Sequence, residues 1–94
     1  MEALGEGRFR VTGALAFDTV PALLQASEPV LSGAGPWRID LAGVAQADSA
    51  GLALLLRWMR RAAAAGTRAR YENMPPQMRA IAAASGLEEL LGEA

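Results

Sequence analysis

The chain has 94 residues, 52% of them apolar, but 21 are alanine, so far fewer side chains are large enough to build a core than the percentage implies. That length and that supply of bulk fit one domain, spanning 1–94, around a single modest core. Nine arginines against ten acidic residues leave a net charge of −1, with no lysine, histidine or cysteine, which removes a charge argument for nucleic acid, a Cys or His catalytic centre, a Cys/His zinc site and any lysine Schiff base or phosphate-loop lysine.

The first ten residues carry acid early and no apolar stretch of signal-peptide length, so a cytoplasmic protein is expected rather than a secreted one. Arg8 to Val11 alternates charged and apolar side chains, the pattern of a half-buried strand with Phe9 and Val11 inward; Thr12-Gly13 reads as a turn or bulge before the apolar run 14–17. Asp18 or Thr19 supplies an N-cap for a helix from about Thr19, and Pro21 is tolerated in its first turn, where the missing donor had no partner. Val20, Leu23, Leu24, Ser27 and Leu31 recur at helical spacing until Pro29 breaks the pattern, and the Gly-Ala-Gly-Pro run 33–36 ends the segment.

Trp37, Ile39 and Leu41 alternate with Arg38 and Asp40 in a second strand, with 43–48 expected as a short connection. A long helix follows over 49–65. At about 100° per residue, Leu52, Leu55, Leu56, Met59, Ala62 and Ala63 share one side, while Ala53, Leu54, Arg57, Arg61 and part of Trp58 share the other. Gly66 stops it. Its apolar run, Ala50 to Leu56, is far short of a bilayer span, so no direct membrane insertion is expected. The segment 68–72 is a weaker strand, 73–76 a turn, and the next helix turns Met78, Ile81 and Ala82 inward before Ser85-Gly86. Leu87, Leu90 and Leu91 are expected to pack a final turn onto the body. Strands alternating with helices predict an α/β fold: a small, mostly parallel sheet with β-α crossovers.

The informative stretch is 39–56, a buried strand, a short loop, then Asp48-Ser49-Ala50-Gly51 opening a helix. Asp48 or Ser49 can cap it, and the small Ala50 and Gly51 leave the first-turn N–H groups sterically open to an anion or a partner's backbone. On spacing alone, an ordinary N-cap with a glycine for close packing explains the same residues. Further along, Leu54 and Trp58 flanked by Arg57 and Arg61 make an apolar patch with a cationic rim, which fits an interface; Trp58 leaning over the core edge is the alternative. Asp40 and Asp48 are a weak Mg²⁺ pair, better explained as structural carboxylates. The glycines at 33 and 35 precede a strand and lack a following lysine, unlike a nucleotide loop.

The Ile39-Asp40-Leu41 strand followed by Asp48-Ser49-Ala50-Gly51-Leu52-Ala53 resembles the signature of the STAS family (sulfate transporter and anti-sigma factor antagonist). Flanking segments extend the likeness: 9–15 resembles its early strand with a glycine, and 73–91 its closing helices. The resemblance implies a single STAS domain without catalysis or cofactor. Within the family, 48–58 most resembles the small cytoplasmic subunits of Mla-type phospholipid-transporting ABC complexes. That implies an ABC transporter ATPase subunit as partner, touched at Ser49, peripheral placement at the inner membrane and support of outer-membrane lipid asymmetry; joined to the apolar patch read from the helix itself, the expected contact comprises Asp48, Ser49, Ala50, Gly51, Leu54, Arg57, Trp58 and Arg61. An exposed apolar patch would also favour weak self-association of the free chain. The alternative within the family is an anti-sigma antagonist or stress-signalling switch. Its phosphorylated hydroxyl directly precedes the Gly-Leu pair, where this chain has Ala50.

Overall fold

A computed structural model describes residues 1–33, 35–87 and 89–91; Ala34, within the expected 33–36 turn, and the end of the expected 1–94 domain at 92–94 lie outside them. The chain runs β1 (Glu2–Gly5), β2 (Arg8–Leu15), α1 (Val20–Ser27), β3 (Trp37–Ala47), α2 (Ser49–Ala64), β4 (Ala69–Glu72) and α3 (Pro76–Ala84). The sheet order is β1-β2-β3-β4, with β1 antiparallel to β2 and the other two pairings parallel. This is the mixed, mostly parallel α/β arrangement that the alternation of elements predicts.

Alternation sets the two faces of the sheet. Phe9, Val11, Ile39, Leu41 and Tyr71 are buried beneath the helices, while Arg8, Arg10, Arg38 and Arg70 stand exposed on the other side. Trp37 is also buried, edge-on to Phe9 with ring centroids 6.5 Å apart. The α2 helix lies between α1 and α3, and beneath it runs the sheet. Tyr71 on β4 donates its hydroxyl to the Leu55 carbonyl of α2 at 2.5 Å. That bond satisfies a polar group whose burial raises its pKa well above the ordinary tyrosine range.

Several boundaries differ from expectation. β1 went unread because Glu2-Ala3-Leu4-Gly5 has little bulk or alternation; it forms as an edge strand by pairing with β2. Thr12-Gly13 does not end β2. The strand continues through to Leu15, with register shifts against β3 on both sides of that pair, and Gly13 takes φ +89°, a conformation costly for other residues. For the same reason 43–47 is strand rather than connection, since β3 follows β2 to its end and buries Val44 and Ala47 at a spacing of three rather than two. Helix α1 stops at Ser27, just before Pro29, as its missing donor requires. Of the final leucines, Leu91 is buried and Leu87 half-buried, but Leu90 is 56% exposed.

Candidate protein-docking site

The parallel strands β2 and β3 end side by side at Leu15 and Ala47, so the turn into α1 and the turn into α2 emerge together. Asp48 joins them. Its extended backbone places one carboxylate oxygen, Oδ1, to accept from the N–H groups of Ala50 (2.8 Å) and Gly51 (3.4 Å), while Oδ2 accepts from Phe17 N–H at 3.1 Å. Its own N–H donates to the Leu15 carbonyl at 3.1 Å. The Phe17 amide above all, then those of Ala50 and Gly51, hold the carboxyl below the usual aspartate range against an opposing contribution from burial. Of the two expected caps, therefore, Asp48 is the one used. The Ala50 and Gly51 amides, sterically open in the sequence, are already bonded to it.

Gly51 permits this closeness. A Cβ there would lie 2.3 Å from the Leu15 carbonyl oxygen and 2.8 Å from the Leu15 Cβ, so only glycine lets α2 start directly against the end of β2. On the α1 side, Thr19 occupies the N-cap position but its hydroxyl does not cap the helix. It accepts from Ala16 N–H (2.9 Å) and donates to the Ala14 carbonyl (2.8 Å), holding the tight turn instead.

That turn exposes Phe17, which is 80% accessible. Within the apolar run 14–17 nothing local marks position 17 as exposed; the chain turns after Leu15, and the ring faces outward. Ser49, Ala53, Arg57 and Arg60 form the outward stripe of α2, with Ala50 half-buried at its edge. A groove of about 410 Å³ adjoins this stripe, lined by Leu24, Glu28, Arg57, Trp58, Arg60 and Arg61.

Four of the expected contact residues are placed differently, and the first, Gly51, is buried against the end of β2. Leu54 and Trp58 are buried, at 2% and 0% exposure, rather than forming the centre of a surface patch. The Trp58 indole donates to Ser27 Oγ at 2.9 Å, and Ser27 donates in turn to the Leu24 carbonyl at 2.8 Å. The reason is geometric. With α1 along one flank, the covered arc of α2 is rotated toward Leu54 and Trp58 by most of one residue's step, leaving Ser49, Ala53 and Arg57 at the centre of the uncovered side. Arg61 is engaged within the chain, pairing with Glu28 at 2.8 Å and donating to the carbonyls of Glu28 (2.5 Å) and Leu31 (3.1 Å). It thus serves the C-terminal end of α1, where a cation complements the helix dipole.

The two aspartates weighed as a metal pair are placed apart in role. Asp40 lies on the open sheet face, accepting from Asn73 Nδ2 (3.0 Å) and Ala42 N–H (2.9 Å), which lower its pKa. Asp48 serves the helix cap. Among the described residues, no three His, Cys, Asp or Glu side chains cluster as a metal site.

Strand, crossover corner and capped helix start thus assemble around Asp48 and Gly51, and the family model described as Mlab, STAS domain matches residues 2–92. The chain belongs to the STAS-domain family. Its likeness within that family is to MlaB. The comparison with curated proteins found no match. In this STAS domain the hydroxyl at the helix start belongs to Ser49, which is exposed, and the position before Gly51-Leu52 carries the methyl of Ala50. None of its described helices is long and apolar enough to cross a membrane.

Proposed function

We propose that this STAS domain is a non-catalytic subunit that docks on, and supports, the ATPase of an Mla-type phospholipid-transporting ABC complex. In that role it contributes to outer-membrane lipid asymmetry. It would lie in the cytoplasm, peripheral to the inner membrane through the complex. The observation that carries the reading is the outward surface at the start of α2, where Phe17, tied to Asp48 through its N–H, stands 80% exposed and the helix opens on the exposed Ser49. An exposed apolar ring near a helix start of small residues, with the exposed Arg57 and Arg60 further along the same helix, supplies the apolar and cationic groups of an interface core and its polar rim. The same ring favours weak self-association of the free domain.

A kinase-switched antagonist is less well supported, because Ala50 offers no phosphoacceptor. Phosphorylation of Ser49 instead would set a dianion beside the Asp48 carboxylate that already takes the Ala50 and Gly51 amides. The test is tagged pull-down from detergent-solubilised native cells, wild type beside Ser49→Arg, with co-eluting proteins identified by mass spectrometry. Recovery of an ABC ATPase with its membrane subunits, lost in the variant while the circular-dichroism melt stays unchanged, is the expected result. Recovery of a sigma-pathway kinase, or retention of the ATPase by Ser49→Arg, would overturn the assignment.

A further inference from the structure

The sheet face turned away from the helices carries its charges in two rows. Phe9, Ile39 and Tyr71 pair in register and point into the core, so Arg8, Arg38 and Arg70, also in register, stand side by side on the open face. Neighbouring strands lie about 4.8 Å apart, which sets three guanidinium-bearing positions within roughly 10 Å. Two residues along, Glu2, Arg10, Asp40 and Glu72 form a second row. Like charges directly opposite one another destabilise a sheet, and the second row relieves only part of the first.

Glu72 pairs with Arg38 at 2.6 Å, Glu2 pairs with Arg10 at 3.5 Å, and Asp40 bonds Asn73 and the Ala42 amide. Arg8 and Arg70, on either side of Arg38, form no salt bridge among the described residues and are exposed. Two hollows meet at Arg70. One, of about 330 Å³, is lined by Pro36, Arg38, Arg70, Tyr71 and Glu72; the other, of about 480 Å³, by Pro36, Gly66, Thr67, Arg68 and Arg70. The second brings a fourth guanidinium and the side of the Thr67 residue next to the row.

We propose that the Arg8–Arg38–Arg70 row is a binding site for an anion bearing several phosphate groups. A guanidinium offers paired N–H donors matched to phosphate oxygens and stays charged throughout the physiological range. Glu72, paired with Arg38, and Asp40, in the field of Arg8, offset only part of the charge of three guanidiniums, and a bound polyphosphate replaces the remaining repulsion with attraction. The row lies at the N-terminal ends of β2, β3 and β4, whereas Asp48 and Ser49 lie beyond the C-terminal ends of β2 and β3. Both surfaces are therefore available at once, and this site does not depend on the docking proposal.

The test is calorimetric titration of the purified full chain with inorganic tripolyphosphate at low ionic strength, alongside co-sedimentation with phosphatidylglycerol vesicles and with neutral phosphatidylcholine vesicles. Three proteins are compared: wild type, Arg8→Gln/Arg70→Gln, and Arg57→Gln/Arg60→Gln, which removes the same charge from α2. Saturable binding is expected, weakened about tenfold or more in Arg8→Gln/Arg70→Gln by the loss of charge-assisted hydrogen bonds, and little changed in the α2 variant. Binding of tripolyphosphate alone identifies a free phosphate compound as the source. Co-sedimentation with the anionic vesicles, lost in the same variant, identifies the phosphates of several adjacent lipid headgroups as the source. No binding in either arm, or equal weakening in both variants, would overturn the proposal. Because Arg8 and Arg70 are exposed and form no salt bridge among the described residues, while each flanks the like charge of Arg38, Arg8→Gln/Arg70→Gln should melt close to wild type, which separates lost binding from lost fold.

Discussion

Gly51→Ala sets helix propensity against packing, with opposite expected signs. Propensity alone favours alanine within a helix by about 1 kcal/mol. Packing opposes it, because the added Cβ would sit 2.3 Å from the Leu15 carbonyl oxygen, where ordinary contact begins near 3.4 Å. The obstacle is strand backbone rather than a side-chain tip, so α2 must lift by about 1 Å from the end of β2. That displacement stretches the Asp48 N–H bond to the Leu15 carbonyl, now 3.1 Å, past hydrogen-bonding range. Overpacking costs about 2 kcal/mol and the lost backbone bond about 1 kcal/mol, so after the propensity gain the variant should be destabilised by about 2 kcal/mol. For a domain of this size that lowers Tm by roughly 8–16 °C. Thermal and urea unfolding followed by far-ultraviolet circular dichroism measure it. A Gly51→Ala protein that melts at or above wild type would refute the close-approach argument.

Trp58→Phe removes the indole donor to buried Ser27 and part of a buried ring, and should cost about 1–3 kcal/mol in urea unfolding; an unchanged midpoint would put Trp58 back on the surface. Arg61→Ala loses the bonds to the Glu28 and Leu31 carbonyls, with an expected cost of about 1 kcal/mol, most of it from those carbonyls because the Glu28 carboxylate is exposed. Asp40 and Asp48 both have folded-state pKa values below the ordinary aspartate value of 3.8. Their contribution is present above that value and is lost as pH falls through the lower folded values. Thermal melts should therefore change little through these two groups from neutral pH down to about pH 5 and fall below about pH 4, with a shallower acid limb in an Asp40→Asn/Asp48→Asn variant.

Local chemistry was enough to read the central strands and the corner between β3 and α2. Phe9, Val11, Ile39 and Leu41 alternate with charged residues, and only one side of such a strand can be buried without stranding arginine or aspartate. Asp48 ahead of Ser-Ala-Gly names a helix start because its short carboxylate reaches the first-turn amides. Proline at 29 and glycine at 66 mark helix ends by what their backbones cannot do or alone do easily. These features depend on a few consecutive residues, so they are visible before any folding partner is known.

Features that depend on distant segments were not visible in that way. β1 and the continuation of β3 through 43–47 exist because β2 lies alongside, and their small side chains carry little periodic signal. The outward side of α2 was misjudged because α1 covers Leu54 and Trp58, and because Glu28 and two carbonyls at the end of α1 draw in Arg61. Phe17 closes an apolar run in which nothing local marks it as exposed, and the turn after Leu15 brings it to the surface. The order of elements from β2 onward, the sided strands and the capped helix start were legible in the residues alone, because these follow from backbone preference and short-range amphipathy. Which face of α2 is free, which aromatic is exposed and which arginines stand in a row were settled by long-range packing, because each depends on what lies beside it.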